Sequence, residues 1–206
     1  MALIPQIPLE QPQSFQAKKG HLYEPTVRLS GHTGEVYASR FSPCGDFLVS
    51  TGTDRLLLIW DVFSDQVKNL GICKGHKNAV LDVKWHPDSS QLHSCGADKL
   101  IFSWDTVDFS RIRTYKGHEQ IINSISCTQE QLASGSDDCT VKLWDPRAKS
   151  STATFKLDYQ ITVVEFARRG DLLFFGGLDN SIKALNLKKN AFEFGLYGHT
   201  DTITGL

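Results

Sequence analysis

Histidine, serine and aspartate recur together three times in this chain: His32, Ser50 and Asp54; His76, Ser94 and Asp98; His118, Ser134 and Asp138. Those side chains can activate a nucleophile, with a serine oxygen attacking, an imidazole taking its proton and a carboxylate orienting the ring. The spacing argues for another role. Trp60, Trp104 and Trp144 close the three sets, and in each the Ser precedes the Trp by ten residues and the Asp by six. A hydrolase needs one triad beside an oxyanion hole and a cleft, not three copies in register. A short carboxylate in a tight turn accepts backbone N–H groups. It can also accept from the imidazole, the imidazole can meet the hydroxyl, and the hydroxyl can accept the indole N–H. Such a chain leaves no buried polar group unpaired. The residues are therefore read as three structural tetrads, with no catalytic residue.

The elements that must position them follow from the same periodicity. Gly-His pairs stand at 31–32, 75–76, 117–118 and 198–199, and Trp-Asp pairs at 60–61, 104–105 and 144–145. Within the first unit VYASRF, FLVST and LLLIW read as strands separated by turn residues. Runs such as LLLIW and LLFF lack strict alternation, as strands buried on both faces do. No helical periodicity appears. A unit of roughly 40–45 residues that opens on Gly-His and closes on Trp-Asp resembles the WD40 repeat, four strands per blade of a β-propeller.

The expected fold is thus all-β. It comprises a WD40 propeller with blades at about 31–73, 74–115, 116–155 and 156–197, plus the first strand of a fifth at 198–206. A closing strand at 22–30 and a disordered or extended arm at 1–21 precede them. The fourth unit is degenerate. It keeps Asp179 but has Leu157-Asp158 near the Gly-His place, Phe175 for the Ser and Leu185-Asn186 for Trp-Asp. Its tetrad cannot form, so it is expected to rely on packing and to be the least rigid. An open array leaves apolar blade faces uncovered. The chain therefore reads as part of a longer, seven-bladed ring, ahead of a four-bladed ring or two half-rings pairing.

Composition narrows the function. The formal net charge is −1, which is no electrostatic footprint for nucleic acid. The basic pairs Arg168-Arg169 and Lys188-Lys189 read as solvated turn residues. Five cysteines without a CxxC pair argue against zinc or a disulfide framework. No apolar run reaches the length of a membrane span, and Pro5, Pro8 and Pro12 interrupt the N-terminal one. No phosphate-binding glycine loop is present. The expectation is a display surface with no cofactor, metal, membrane or small-molecule substrate. Aligning the units on Val36, Val80, Ile122 and Ile161 brings Leu81 and Ile121 into a partner-binding patch with Tyr37, rimmed by Glu35, Asn123 and Asp137. Apolar centres with polar rims are how protein interfaces are built.

Longer stretches carry a narrower resemblance. LSGHTGEVY (29–37), GSDDCTVKLWDPR (135–147), YQITVVEF (159–166), GGLDNSIKALNLKKN (176–190) and YGHTDTITGL (197–206) together resemble the small WD-repeat subunit family of the spliceosomal U5 snRNP. The degenerate opening at Tyr159-Gln160 is included. That resemblance implies a seven-bladed, non-catalytic scaffold in the nucleus. It would bind the large U5 scaffold protein during pre-mRNA splicing and meet RNA only indirectly. The departures are Leu185-Asn186 in place of Trp-Asp and the lack of roughly three C-terminal blades. An alternative rests on Trp144-Asp145-Pro146-Arg147, which resembles the W-D-x-R run of WD-repeat substrate receptors in cullin-RING ubiquitin ligases.

Overall fold

Branched and aromatic residues in runs of five or six, broken by turn formers, leave the strand as the regular conformation open to this backbone. A computed structural model describes residues 28–62 and 68–206, and every regular element in it is a strand. The arm expected at 1–21 and most of the closing strand expected at 22–30 lie outside the described residues. Residues 28–30 carry no strand.

The first blade contains β1 (Val36–Phe41), β2 (Phe47–Gly52), β3 (Leu56–Asp61) and β4 (Lys68–Lys74). The second contains β5 (Val80–Trp85), β6 (Gln91–Gly96), β7 (Leu100–Asp105) and β8 (Arg111–Lys116). The third contains β9 (Ile122–Cys127), β10 (Leu132–Ser136), β11 (Thr140–Trp144) and β12 (Ser151–Lys156). The fourth contains β13 (Ile161–Phe166), β14 (Leu172–Gly177), β15 (Ile182–Asn186) and β16 (Ala191–Leu196). Each blade is one four-stranded antiparallel meander. A meander puts its first and third turns at one end and its second turn and exit loop at the other. The tetrad aspartates and the Gly-His pairs therefore share the upper end.

The second turn is built alike in all four blades. The residue after each Asp has positive φ: Arg55 (68°), Lys99 (67°), Cys139 (62°) and Asn180 (59°). Side chains rarely adopt that conformation. Here the preceding carboxylate holds it, since Oδ1 of Asp54, Asp98, Asp138 and Asp179 accepts the backbone N–H two residues on.

The core lies between blades. Val49, Leu57 and Ile59 of blade one meet Val83, Trp85 and Phe102 of blade two. Ile101 and Tyr115 meet Ile125 and Trp144, and Val141 and Leu143 meet Ile161 and Phe175. The innermost strands β1, β5, β9 and β13 are neighbours in that order. They are joined by side chains bonding to backbone: Trp85 Nε1 donates to the Arg40 carbonyl (3.0 Å), and the Cys127 thiol to that of Trp85 (3.1 Å). The amide of Phe166 donates to Ser126 Oγ (3.1 Å). Buried Asp82 anchors this inner ring, accepting from Ser124 Oγ and the amide of Ile125, both at 3.1 Å.

Among the described residues two blade faces lack a neighbour. Phe41 is 59% exposed, while Trp85 and Phe166 at the matching positions are 8% exposed. Phe194 and Leu196 of β16 are also about half exposed. The segment 198–206, expected to open a fifth blade, pairs in no ladder. It lies along blade four, with Ile203 buried over Gly176 and its carbonyl accepting from the Thr162 hydroxyl. A first strand has no second strand here to pair with.

Candidate functional site

Each complete set closes into one hydrogen-bonded chain. The His Nδ1 to Asp Oδ2 distances are 2.8, 2.9 and 2.7 Å for His32–Asp54, His76–Asp98 and His118–Asp138. The His Nε2 to Ser Oγ distances are 2.8, 2.7 and 2.7 Å. The indoles of Trp60, Trp104 and Trp144 donate to the same oxygens at 2.9, 2.8 and 2.8 Å. A carboxylate only accepts, so each Nδ1 carries the proton. In the neutral ring Nε2 then accepts from the serine. Oδ2 of each Asp also accepts the amide that follows the His, from Thr33, Lys77 and Glu119.

This is the bonding order of a catalytic triad with its nucleophile walled in. Ser94 and Ser134 have no exposed surface, and Ser50 has 7%. Each serine oxygen already accepts from an indole N–H. Burial pushes the His118 pKa down, with Asp138 partly opposing it, which favours the neutral ring. Burial pushes the Asp98 carboxyl up, but the His76 contact and the amides of Lys77 and Leu100 hold it below its ordinary value. Asp138 is lowered in the same way by Thr140, Glu119 and His118, against burial.

Blade four fills the tetrad positions differently. Phe175 and Leu185 stand at the Ser and Trp places with no exposed surface. Asp179 takes Ser181 Oγ at 2.6 Å and, where the other blades use an imidazole, Lys183 Nζ at 3.0 Å. The Lys183 ammonium lies 4.5 Å from the centre of the Tyr159 ring. Burial lowers the Lys183 pKa, but Tyr159 and Asp179 outweigh it and the net direction is up. The blade thus has a polar latch besides its packing, which the sequence reading did not anticipate.

The expected partner patch is dispersed in character. Glu35 and Tyr37 are exposed, and Leu81 and Ile121 are half-buried. Glu35 Oε2 accepts from the Thr53 hydroxyl at 3.1 Å. Its own amide, then that hydroxyl, lowers its pKa. Asn123 was expected on the polar rim. Its Nδ2 also donates to Asp137 Oδ1 (2.7 Å) and to the Ile161 carbonyl (2.8 Å), tying blade three to blade four. Its periodic position concealed that role, because the bond crosses to the next unit. Arg147 of the W-D-x-R run turns back to Asp145 at 3.4 Å. Among the described residues no group of three or more His, Cys, Asp or Glu side chains is placed to hold a metal. No helix there is long and apolar enough to cross a membrane.

Repeated blades locked by a His–Ser–Asp–Trp chain have a counterpart among known families. The WD40 profile (WD domain, G-beta repeat) matches residues 23–61, 67–105 and 109–145. The chain belongs to the WD40 family. The degenerate fourth blade lies outside those matches, as its lost Trp-Asp and Gly-His would dictate. Longer relatives match more of the chain. Pre-mRNA-splicing factor cwf17 of Schizosaccharomyces pombe is 40% identical over 194 residues, covering 93% of this chain and 57% of that protein. The U5 small nuclear ribonucleoprotein 40 kDa protein of Homo sapiens is 44% identical over 188 residues, covering 90% and 52%. Its Dictyostelium discoideum counterpart is 34% identical over 170 residues, covering 81% and 48%. The chain spans about half the length of these curated relatives.

Proposed function

We propose that this WD40 chain is a non-catalytic protein-interaction scaffold of the U5 snRNP. On this reading it acts in the nucleus in pre-mRNA splicing and binds the large U5 scaffold protein, with RNA contacted indirectly. The observation that carries the proposal is the 44% identity to the U5 40 kDa protein across 90% of the chain. Repeat proteins serve interaction through rows of loops held on a rigid array. The buried tetrad serines, with no oxygen offered to a substrate, support a role without catalysis. The upper-face residues Tyr37, Leu81 and Ile121, rimmed by Glu35, Asn123 and Asp137, are the proposed partner contacts.

The test is affinity purification of the tagged chain from nuclear extract, with co-purified proteins read by mass spectrometry and small RNAs by sequencing. U5 RNA together with its large scaffold protein is the expected recovery. A cullin adaptor without small nuclear RNA would replace this reading with the ligase alternative and direct attention to Arg147.

A further inference from the structure

The lower end of the array is divided by charge. The lower turns of blades one and two carry Asp46, Asp88 and Asp108, and no Lys or Arg among their described residues. Those of blades three and four carry Arg147, Lys149, Arg168, Arg169, Lys188 and Lys189 beside Glu130, Asp145 and Asp171, so that positive charge prevails there. Arg147 pairs with Asp145 and Lys189 with Glu193. Arg168, Arg169 and Lys188 have no ion pair or side-chain hydrogen bond among the described residues, and all three are exposed. They line one open cavity of about 1000 Å³ between the lower turns of blades three and four.

We propose that this cavity is a docking groove for an extended acidic peptide segment of a partner protein. The proposal rests on the scaffold reading above and names the chemistry of one partner contact. Free guanidinium groups match carboxylates in a bidentate fork. Leu187 and Ala167 add apolar wall, and Gln129 and Gln131 add amides, which suits a peptide's mixed side chains and backbone. A nucleic-acid strand fits less well. Glu165 is taken up by Lys84 at 2.5 Å, but Glu130 and Asp171 also line the groove and would repel each phosphate of a continuous run, whereas a peptide can set uncharged or basic side chains against them. The aromatic residue in its wall, Phe166, is 8% exposed and offers no stacking platform.

The test is fluorescence anisotropy on the full 206-residue chain. Three labelled probes are used: a peptide alternating Glu and Leu, one of equal length alternating Lys and Leu, and a short oligouridylate. The acidic peptide should bind in a salt-sensitive manner. The double variant Arg168→Glu/Arg169→Glu should weaken it by about tenfold or more and gain affinity for the Lys-Leu peptide, with thermal unfolding unchanged. No binding of the acidic peptide, or equal binding by the double variant, overturns the proposal. So does tighter binding of the oligouridylate that the same substitutions abolish, which would assign the groove to nucleic acid. A failure here alongside intact recovery of the splicing particle removes the groove alone. Loss of that recovery removes the scaffold reading.

Discussion

Ser94→Ala isolates what a closed tetrad contributes to stability. The change removes one oxygen and almost no volume. Two partners are left behind, the Trp104 indole N–H at 2.8 Å and the His76 Nε2 acceptor at 2.7 Å. Both lie in a blade flanked on each side, with Trp104 1% and His76 6% exposed. A buried group that loses its partner costs about 1–3 kcal/mol. Because the two share one network their losses overlap, and about 2–4 kcal/mol is expected in total. Ser50→Ala removes the matching oxygen from blade one, where Ser50 is 7% exposed against none for Ser94 and water has closer access. About half that cost is expected there. Urea unfolding followed by fluorescence of the buried tryptophans measures both. At a slope of about 2 kcal/mol per molar urea, the Ser94→Ala midpoint should fall by about 1–2 M, with the slope unchanged. A shift equivalent to less than about 0.5 kcal/mol, or a Ser50→Ala cost equal to that of Ser94→Ala, would refute the network argument.

His93 is 1% exposed, and its Nε2 has no partner among the described residues; burial, then the nearby His86, lowers its pKa to about 3. The unfolded chain takes a proton below about pH 6.5 that the folded chain refuses, so stability falls with falling pH by about 1.4 kcal/mol per unit. His93→Gln should flatten the fall in urea midpoint between pH 7 and pH 5; an unchanged slope would show that His93 does not set it. Gly96→Ala would place a methyl 2.2 Å from the Ala79 carbonyl and 3.1 Å from Val80 Cα, both backbone. A loss of about 2 kcal/mol or more is expected by thermal unfolding, and a stable Gly96→Ala protein would contradict the packing described. Leu81→Asp with Ile121→Asp should abolish recovery of the partner from nuclear extract while leaving the far-ultraviolet circular dichroism unchanged. Retained recovery would remove those residues from the contact surface.

The repeated positions were legible because repetition marks them. The tetrad serines, aspartates and tryptophans occupy the same offsets in three units, with strands like VYASRF, FLVST and LLLIW around them, so one physical argument serves several copies. Legibility ended where a unit departs from its neighbours or reaches into one. Lys183 aligns with Lys142, whose Nζ donates to Thr154, yet Lys183 turns to Asp179. The missing imidazole left room that the sequence does not display. The bond from Asn123 to the Ile161 carbonyl of the next blade leaves no mark in the repeat, because its partner belongs to another unit. Arg168 and Arg169 do sit in a turn. Only the juxtaposition of blades three and four brings them to one groove with Lys188.

The inner strands are joined by side chains that reach a neighbour's backbone, as Trp85 does to Arg40 and Cys127 does to Trp85. A continuous hydrogen-bonded ladder would fuse them into one twisted sheet with a fixed pitch. Separate bolts make each joint its own bearing. Weakening one bolt should let the array flex at that point while the blades on both sides keep their form. A mutation there would act on the spacing between distant partner contacts before it acted on folding.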